Sequence, residues 1–245
     1  MLLRLRSIAF NAALYLSAIV IGLIATPAFF MPRKAAVFVT SHLSRFVLFL
    51  LKIIAGTRYE IRGPIPHGPV LVAAKHQSMW DTIIFVALLN DPAIVLKSEL
   101  LWIPYYGWFS AKTKMIGIDR GSGSSAIRRL VAQGKAALKL NRPIVIFPEG
   151  TRAAPGATPD YKPGVAALYR QLDVECIPVA VNSGLYWPRR RFLRKPGTIV
   201  LEFLPAIPAG LDRKTFMTTL EIQIEEATAR LVAKGKRELV DKHLV

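Results

Sequence analysis

The chain has 245 residues, a single cysteine and a formal charge of +17, with an isoelectric point near 10.4 and mean hydropathy +0.35. A hydrophobic content of 52% against 20% charged residues excludes intrinsic disorder, and one cysteine excludes an intramolecular disulfide framework and argues against a cysteine-based zinc site. A chain this basic and this apolar suits an anionic membrane surface better than a nucleic acid, and it carries no finger, homeodomain or ribonucleoprotein signature.

No acidic residue occurs from Met1 to Tyr59, whereas Arg4, Arg6, Arg33, Lys34, Arg45, Lys52 and Arg58 are basic. Between Arg6 and Arg33 the uncharged run Ile8–Met31 would extend about 36 Å as a helix, enough for a hydrocarbon core of about 30 Å. Pro27 near its end predicts a break. Ala25-Thr26-Pro27-Ala28 is a poor cleavage site, so a removable signal peptide is disfavoured. The second segment, 35–55, places Val39, Leu43, Phe46, Val47, Leu50 and Ile54 at helical spacing among polar residues, which predicts a half-immersed amphipathic helix paired with the first. Basic residues flank the first segment on both sides, and a hairpin dipping into one leaflet fits that symmetry better than a single span. Residues 1–57 are expected to be a two-helix membrane anchor and 58–245 a catalytic domain.

From Tyr59 onward short apolar runs alternate with helical patterns. Strands are predicted at 70–74, 115–118, 143–147, 176–181 and 198–203, and helices at 81–89, 126–140, 165–171 and 214–236. The alternation predicts an α/β fold with a mixed, largely parallel sheet flanked by helices.

Chemistry-bearing residues concentrate at strand ends. His42, His67 and His243 read as structural or solvated, but His76 follows a buried strand directly, where α/β proteins place active sites. Asp81, five residues on, could not share a regular helical face with it; a turn between them would let the carboxylate hold the imidazole as a general base. An equally specific alternative is a capping box, with Ser78 as N-cap and Asp81 as the third helical residue. The two coexist only if one carboxylate serves both partners. In Phe147-Pro148-Glu149-Gly150-Thr151-Arg152, Pro148 ends a strand and Gly150 permits a tight turn, so Thr151 and Arg152 would be presented at the same sheet edge, the arginine able to grip a phosphate or carboxylate. Gly121-Ser122-Gly123-Ser124-Ser125 lacks the remaining features of a phosphate-binding loop and reads as a helix entry. Tyr186 to Lys195 interleaves aromatics with five cations, which suits a lipid headgroup layer, an acidic carrier protein or a solvated loop.

Together these residues carry a family resemblance. His76 to Asp81 is similar to the H-x4-D block of glycerolipid acyltransferases and Phe147 to Arg152 to their F-P-E-G-T-R block. Lys97, Pro104 and Gly107 leading to Gly117-Ile118-Asp119-Arg120 resemble the second block, and Ile177 to Asn182 the fourth, all in family order. The stretch 61–203 therefore resembles the bacterial 1-acylglycerol-3-phosphate acyltransferases. Lys75 stands where the family commonly has Asn, and Lys114 and Gly117 where it has Gly and an aromatic.

The resemblance implies transfer of a fatty acyl group from an acyl thioester, acyl-CoA or acyl carrier protein, to the sn-2 hydroxyl of lysophosphatidic acid, giving phosphatidic acid. His76 and Asp81 are the implied catalytic pair. Lys97, Arg120, Glu149, Gly150, Thr151 and Arg152 are the implied substrate-binding residues, Arg152, Arg120 and Lys97 holding the phosphate and Glu149 orienting Arg152 or the loop. No metal and no cofactor beyond the acyl donor is expected, and no enzyme nucleophile; Cys176 reads as structural. The expected partners are the lyso-lipid, the acyl donor and anionic membrane lipid, at a bacterial inner membrane with the catalytic domain facing the cytoplasm. Another lyso-lipid acceptor, such as a lyso-ornithine lipid, and a catalytically silent membrane-binding protein are the alternatives.

Overall fold

The computed structural model describes residues 1–119, 121 and 123–244. Helix α1 (Leu2–Ile24) is followed by a 3-10 turn (Thr26–Phe29) and by α2 (Arg33–Leu50), which ends in a π turn (Leu51–Ala55) closed by Gly56 in a left-handed conformation. The apolar run 8–31 is thus not one helix. Pro27, which lacks a backbone donor, sits in the turn where the chain reverses. Arg6 Nε donates to the Ile54 carbonyl at 2.8 Å, so the start of α1 lies beside the end of α2 and the two helices form an antiparallel hairpin. Ser7, Phe10 and Leu14 of α1 are buried, while Tyr15, Leu16, Ile19, Leu23 and Ile24 on other faces are exposed. Both helical segments are long and apolar enough to cross a membrane, and about a fifth of each is buried against the rest of the chain.

The remainder is a mixed seven-stranded sheet in the order β1-β7-β6-β2-β5-β3-β4. Its strands are β1 (Thr57–Arg62), β2 (Leu71–Ala74), β3 (Ala93–Lys97), β4 (Ile116–Ile118), β5 (Ile144–Ile146), β6 (Cys176–Val181) and β7 (Gly197–Phe203). All neighbours are parallel except β6 and β7. Strand β2 is buried on both faces, as a central parallel strand must be. Its alternating side chains divide the core. Val72 and Ala74 face a cluster with α3 (Trp80–Leu88) and with Phe10, Leu14, Val47 and Leu48 of the hairpin. Leu71 and Ala73 face α5 (Gly123–Lys139), α6 (Gly164–Leu172) and α7 (Arg213–Asp241).

The hairpin is fastened by polar contacts as well. Arg33 pairs with Asp91 through both guanidinium nitrogens, and Asp91 also lies 3.3 Å from Arg142. Arg142 is 2% exposed and donates to the carbonyls of Asp91, Pro92, Thr113 and Lys114. Strands β1 and β3 and helix α4 (Tyr106–Lys112) lie outside the predicted elements. Strand β1 is a largely polar edge strand, α4 is a short aromatic helix with Ser110 and Lys112 among its few polar residues, and β3 is an apolar run of the same kind as those at β2 and β5.

Candidate active site

Strands β6, β2, β5, β3 and β4 run parallel, so their carboxyl ends share one edge of the sheet. His76, Glu149–Arg152, Lys97, Asp119 and Ser183 all follow or end one of these strands, the arrangement that puts functional loops of α/β sheets together. Arg120 lies outside the described residues.

His76 Nδ1 is 3.0 Å from Asp81 Oδ2. The same oxygen accepts from the Gln77 and Ser78 amides at 2.7 and 2.8 Å, and Asp81 Oδ1 accepts from the Ser183 hydroxyl. Ser78 Oγ in turn accepts from the Trp80 amide at 3.1 Å. The expected capping box is not formed as such: the helix begins at Trp80 after Met79, which gives no side-chain cap, so Ser78 is not the N-cap and Asp81 is the second helical residue, not the third. The fully buried Asp81 nonetheless accepts from the Ser78 amide as well as facing the imidazole, so one carboxylate serves the turn and the histidine together. The imidazole stacks on Phe147 with ring centroids 3.9 Å apart. Among the described residues its Nε2 makes no hydrogen bond, while the ring keeps 14% side-chain exposure. The ring is thus clamped by one nitrogen and one face, with the other nitrogen presented at the edge.

After β5 the chain turns tightly: the Gly150 amide donates to the Phe147 carbonyl at 2.8 Å, and Gly150 has φ +63°, where a side chain would be strained. Thr151 is exposed and Arg152 half-buried. Burial and the neighbouring Arg189 and Arg190 push the Arg152 guanidinium below its ordinary value, while Asp81 acts in the opposite direction. Arg189 also donates to the Arg152 carbonyl at 2.8 Å. The Ala153 amide donates to the His76 carbonyl at 2.8 Å, tying the two loops together. Lys97 is exposed at the end of β3. The Asp119 carboxylate accepts from the Gly121 amide at 3.0 Å.

Glu149 departs from expectation. It is 3% exposed and turned away from the edge. One oxygen accepts from Lys75 Nζ at 2.8 Å and the other is 3.4 Å from the His76 amide. Lys75, itself 2% exposed, also donates to both oxygens of Glu225 on α7, at 2.8 and 3.0 Å, and Tyr161 donates to Glu225 at 2.9 Å. Desolvation raises the Glu149 carboxyl above its usual range, with Lys75 pulling it back down. The carboxylate is thus committed to bracing the His76 backbone and Lys75, not to Arg152. The Lys75 ammonium is held among carboxylates beneath the loop.

Sequence patterns missed Ser183, Phe147 and the Lys75–Glu225 pair. Ser183 could have been suspected from its position just past β6, whose register with β2 pairs Ala73 with Pro178. The segment 186–195 also differs from its pattern. Tyr186, Trp187 and Arg194 are buried, Trp187 packing edge-on against Phe10 with centroids 5.2 Å apart and Arg194 donating to Asn11 at 3.0 Å. Arg189, Arg190, Arg191 and Phe192 remain exposed. Burial pushes the Cys176 thiol upward, which leaves it unreactive in the core.

A family model described as Acyltransferase matches residues 30–182. A 1-acyl-sn-glycerol-3-phosphate acyltransferase of Pseudomonas aeruginosa is 37% identical over 212 residues, covering 84% of this chain and 81% of the relative. The alpha form of that enzyme from Mus musculus is 30% identical over 169 residues, 66% of this chain and 59% of the relative. The crystal structure of the 1-acyl-sn-glycerophosphate acyltransferase from Thermotoga maritima superposes with TM-score 0.76 at 19% identity, over 94% of this chain and 98% of the other, and so shares the fold.

Proposed function

Since the chain belongs to the acyltransferase family, we propose that it moves a fatty acyl group from an acyl thioester, on coenzyme A or acyl carrier protein, to the sn-2 hydroxyl of lysophosphatidic acid, releasing the thiol and phosphatidic acid. The observation that carries the reading is the clamped imidazole: Nδ1 faces Asp81 at 3.0 Å and Nε2 is left for the substrate. Nε2 takes the hydroxyl proton as the oxygen attacks the thioester carbonyl. Asp81 stabilises the imidazolium, which returns the proton to the departing thiolate. No enzyme nucleophile takes part, and the acyl thioester is the co-substrate in place of a cofactor.

Arg152 is assigned to the acceptor phosphate, with Lys97 and Arg120 as further cations and Gly150 and Thr151 shaping the loop. The buried ion pairs of Glu149 support a positioning role behind His76. The acceptor's identity is supported by the names of the Pseudomonas and mouse relatives. Residues 1–57 are read as a hairpin anchored in one leaflet of the bacterial inner membrane, with 58–245 as the catalytic domain on the cytoplasmic side.

The test is acyl transfer by purified protein in mild detergent, with lysophosphatidic acid and either donor. Wild type turns over, and His76→Ala loses about 10²–10⁴-fold in rate while circular dichroism shows the fold retained, with a lower melting temperature because the ring gives up its stacking on Phe147 and its contact with Asp81. Absence of wild-type turnover with both donors would exclude this acceptor. An unimpaired His76→Ala would exclude the base.

A further inference from the structure

Two of the four tryptophans, Trp80 and Trp187, are core residues, but Trp102 and Trp108 are 85% and 50% exposed. They belong to the segment after β3, a 3-10 turn (Ser98–Trp102) running into α4, in which Ile103 is also exposed. Burying so large an apolar ring is among the strongest driving forces available to a chain, so two indoles left in water on one short segment need an occupant.

The segment is also conformationally held. Tyr105 has φ +61° and ψ −60°, and the Tyr106 amide donates to the Pro104 carbonyl at 2.7 Å, a γ-turn that a non-glycine residue adopts only under strain. The strain is held by packing against the hairpin. The Tyr105 ring lies 3.4 Å from where a side chain on Gly22 of α1 would begin, and Phe29 packs against Phe109 and Trp108 with centroids 4.4 and 6.1 Å apart. Lys112 donates to the Phe29 carbonyl at 2.9 Å. The segment is therefore continuous with the tip of the hairpin, where Phe30 and Met31 are 91% and 52% exposed. Its charged residues are Lys97, Glu99, Lys112 and Lys114, a cationic balance.

We propose that Trp102, Ile103 and Trp108 form a third membrane-inserted element, seated at the boundary of headgroups and acyl chains beside the hairpin tip. The occupant is a lipid bilayer, because the surface combines apolar rings carrying a polar N–H with flanking lysines and continues the apolar face of two helices long enough to cross a membrane. The segment springs from the end of β3, on the catalytic edge, so a lipid acceptor meets the site from the bilayer without passing through water. The inference rests on the membrane-anchored reading of the hairpin and adds to it a contact made by the catalytic domain.

The experiment reconstitutes the full chain with vesicles of phosphatidylcholine, alone or mixed with equal phosphatidylglycerol, containing lipids brominated on the acyl chain. Tryptophan emission of wild type is quenched, and the quenching is lost in Trp102→Phe/Trp108→Phe, which keeps the apolar surface and hence the fold. Trp102→Ser/Trp108→Ser raises the KM for vesicle-presented acceptor by about tenfold, roughly the loss expected when apolar area leaves the membrane, while kcat on a short-chain acceptor dissolved as monomer is unchanged. Anchoring of the hairpin is read separately from an environment-sensitive dye on Ile19→Cys, on the exposed face of α1, since Cys176 is buried. An immersed dye with unquenched Trp102 and Trp108 overturns this inference and leaves the anchor standing. A dye in water overturns both. Unquenched tryptophans in a dimer that the Ser variant dissociates would make the patch a self-interface and also overturn the inference.

Discussion

The Lys75→Met variant isolates the buried charge cluster behind His76. Lys75 and Glu149 are 2% and 3% exposed and 2.8 Å apart, whereas Glu225 keeps 26% exposure. Methionine retains most of the lysine stem, so packing changes little. It leaves the Glu149 carboxylate in the interior with a single contact, the His76 amide at 3.4 Å. Removing one member of a buried pair costs about 3–5 kcal/mol, in line with the roughly 4 kcal/mol for unit charges 4 Å apart at an effective dielectric of 20. Glu225 adds about 1 kcal/mol at most, because solvent and the Tyr161 hydroxyl still serve it. For a chain of this size the melting temperature in detergent falls by about 6–20 °C. The pH dependence has a definite sign. Burial already raises Glu149 above its usual value, with Lys75 opposing, so the variant raises it further. With the folded value above the unfolded one, folding takes up a proton between the two, and stability falls as pH rises through that window. The deficit of Lys75→Met, measured by near-ultraviolet circular dichroism melts, is therefore larger in mildly alkaline than in mildly acidic buffer. Adding Glu149→Gln recovers part of it. A deficit below about 1 kcal/mol, typical of an exposed pair, or one independent of pH, would refute the reasoning.

Asp81→Asn replaces an oxygen by an NH2 group facing the Gln77 and Ser78 amides or the Ser183 hydroxyl. It is expected to lower kcat by about 10²–10⁴-fold, as loss of the histidine's orienting carboxylate does elsewhere, and to lower the melting temperature as well; a variant with full activity would refute the orienting role. Asp91→Ala is expected to destabilise more than Arg33→Ala, because it strips a partner from the buried Arg142 as well as from Arg33. Chemical denaturation of both variants checks the order, and the reverse order would remove Asp91 as the hub between hairpin and sheet.

What the sequence determined by itself was local. Apolar periodicity marked the hairpin and Pro27 its reversal. Short apolar runs marked β2, β5, β6 and β7. The His76–Asp81 turn and the Gly150 turn close within a few residues, so residue type and spacing constrain them directly, and spacing alone admits one carboxylate serving both turn and imidazole. The tertiary structure decided everything that joined distant segments. Lys75 meets partners 74 and 150 residues away, and Ser183 reaches Asp81 across 102 residues. Glu149 turned inward and Arg194 and Trp187 were buried, while Trp102 and Trp108 stayed in the open. A lysine or tryptophan reads the same in sequence whether it is solvated or enclosed. Its environment is set by which strands become neighbours in the sheet, and that order follows from burying both faces of the central strands at once, a global balance that no local spacing encodes.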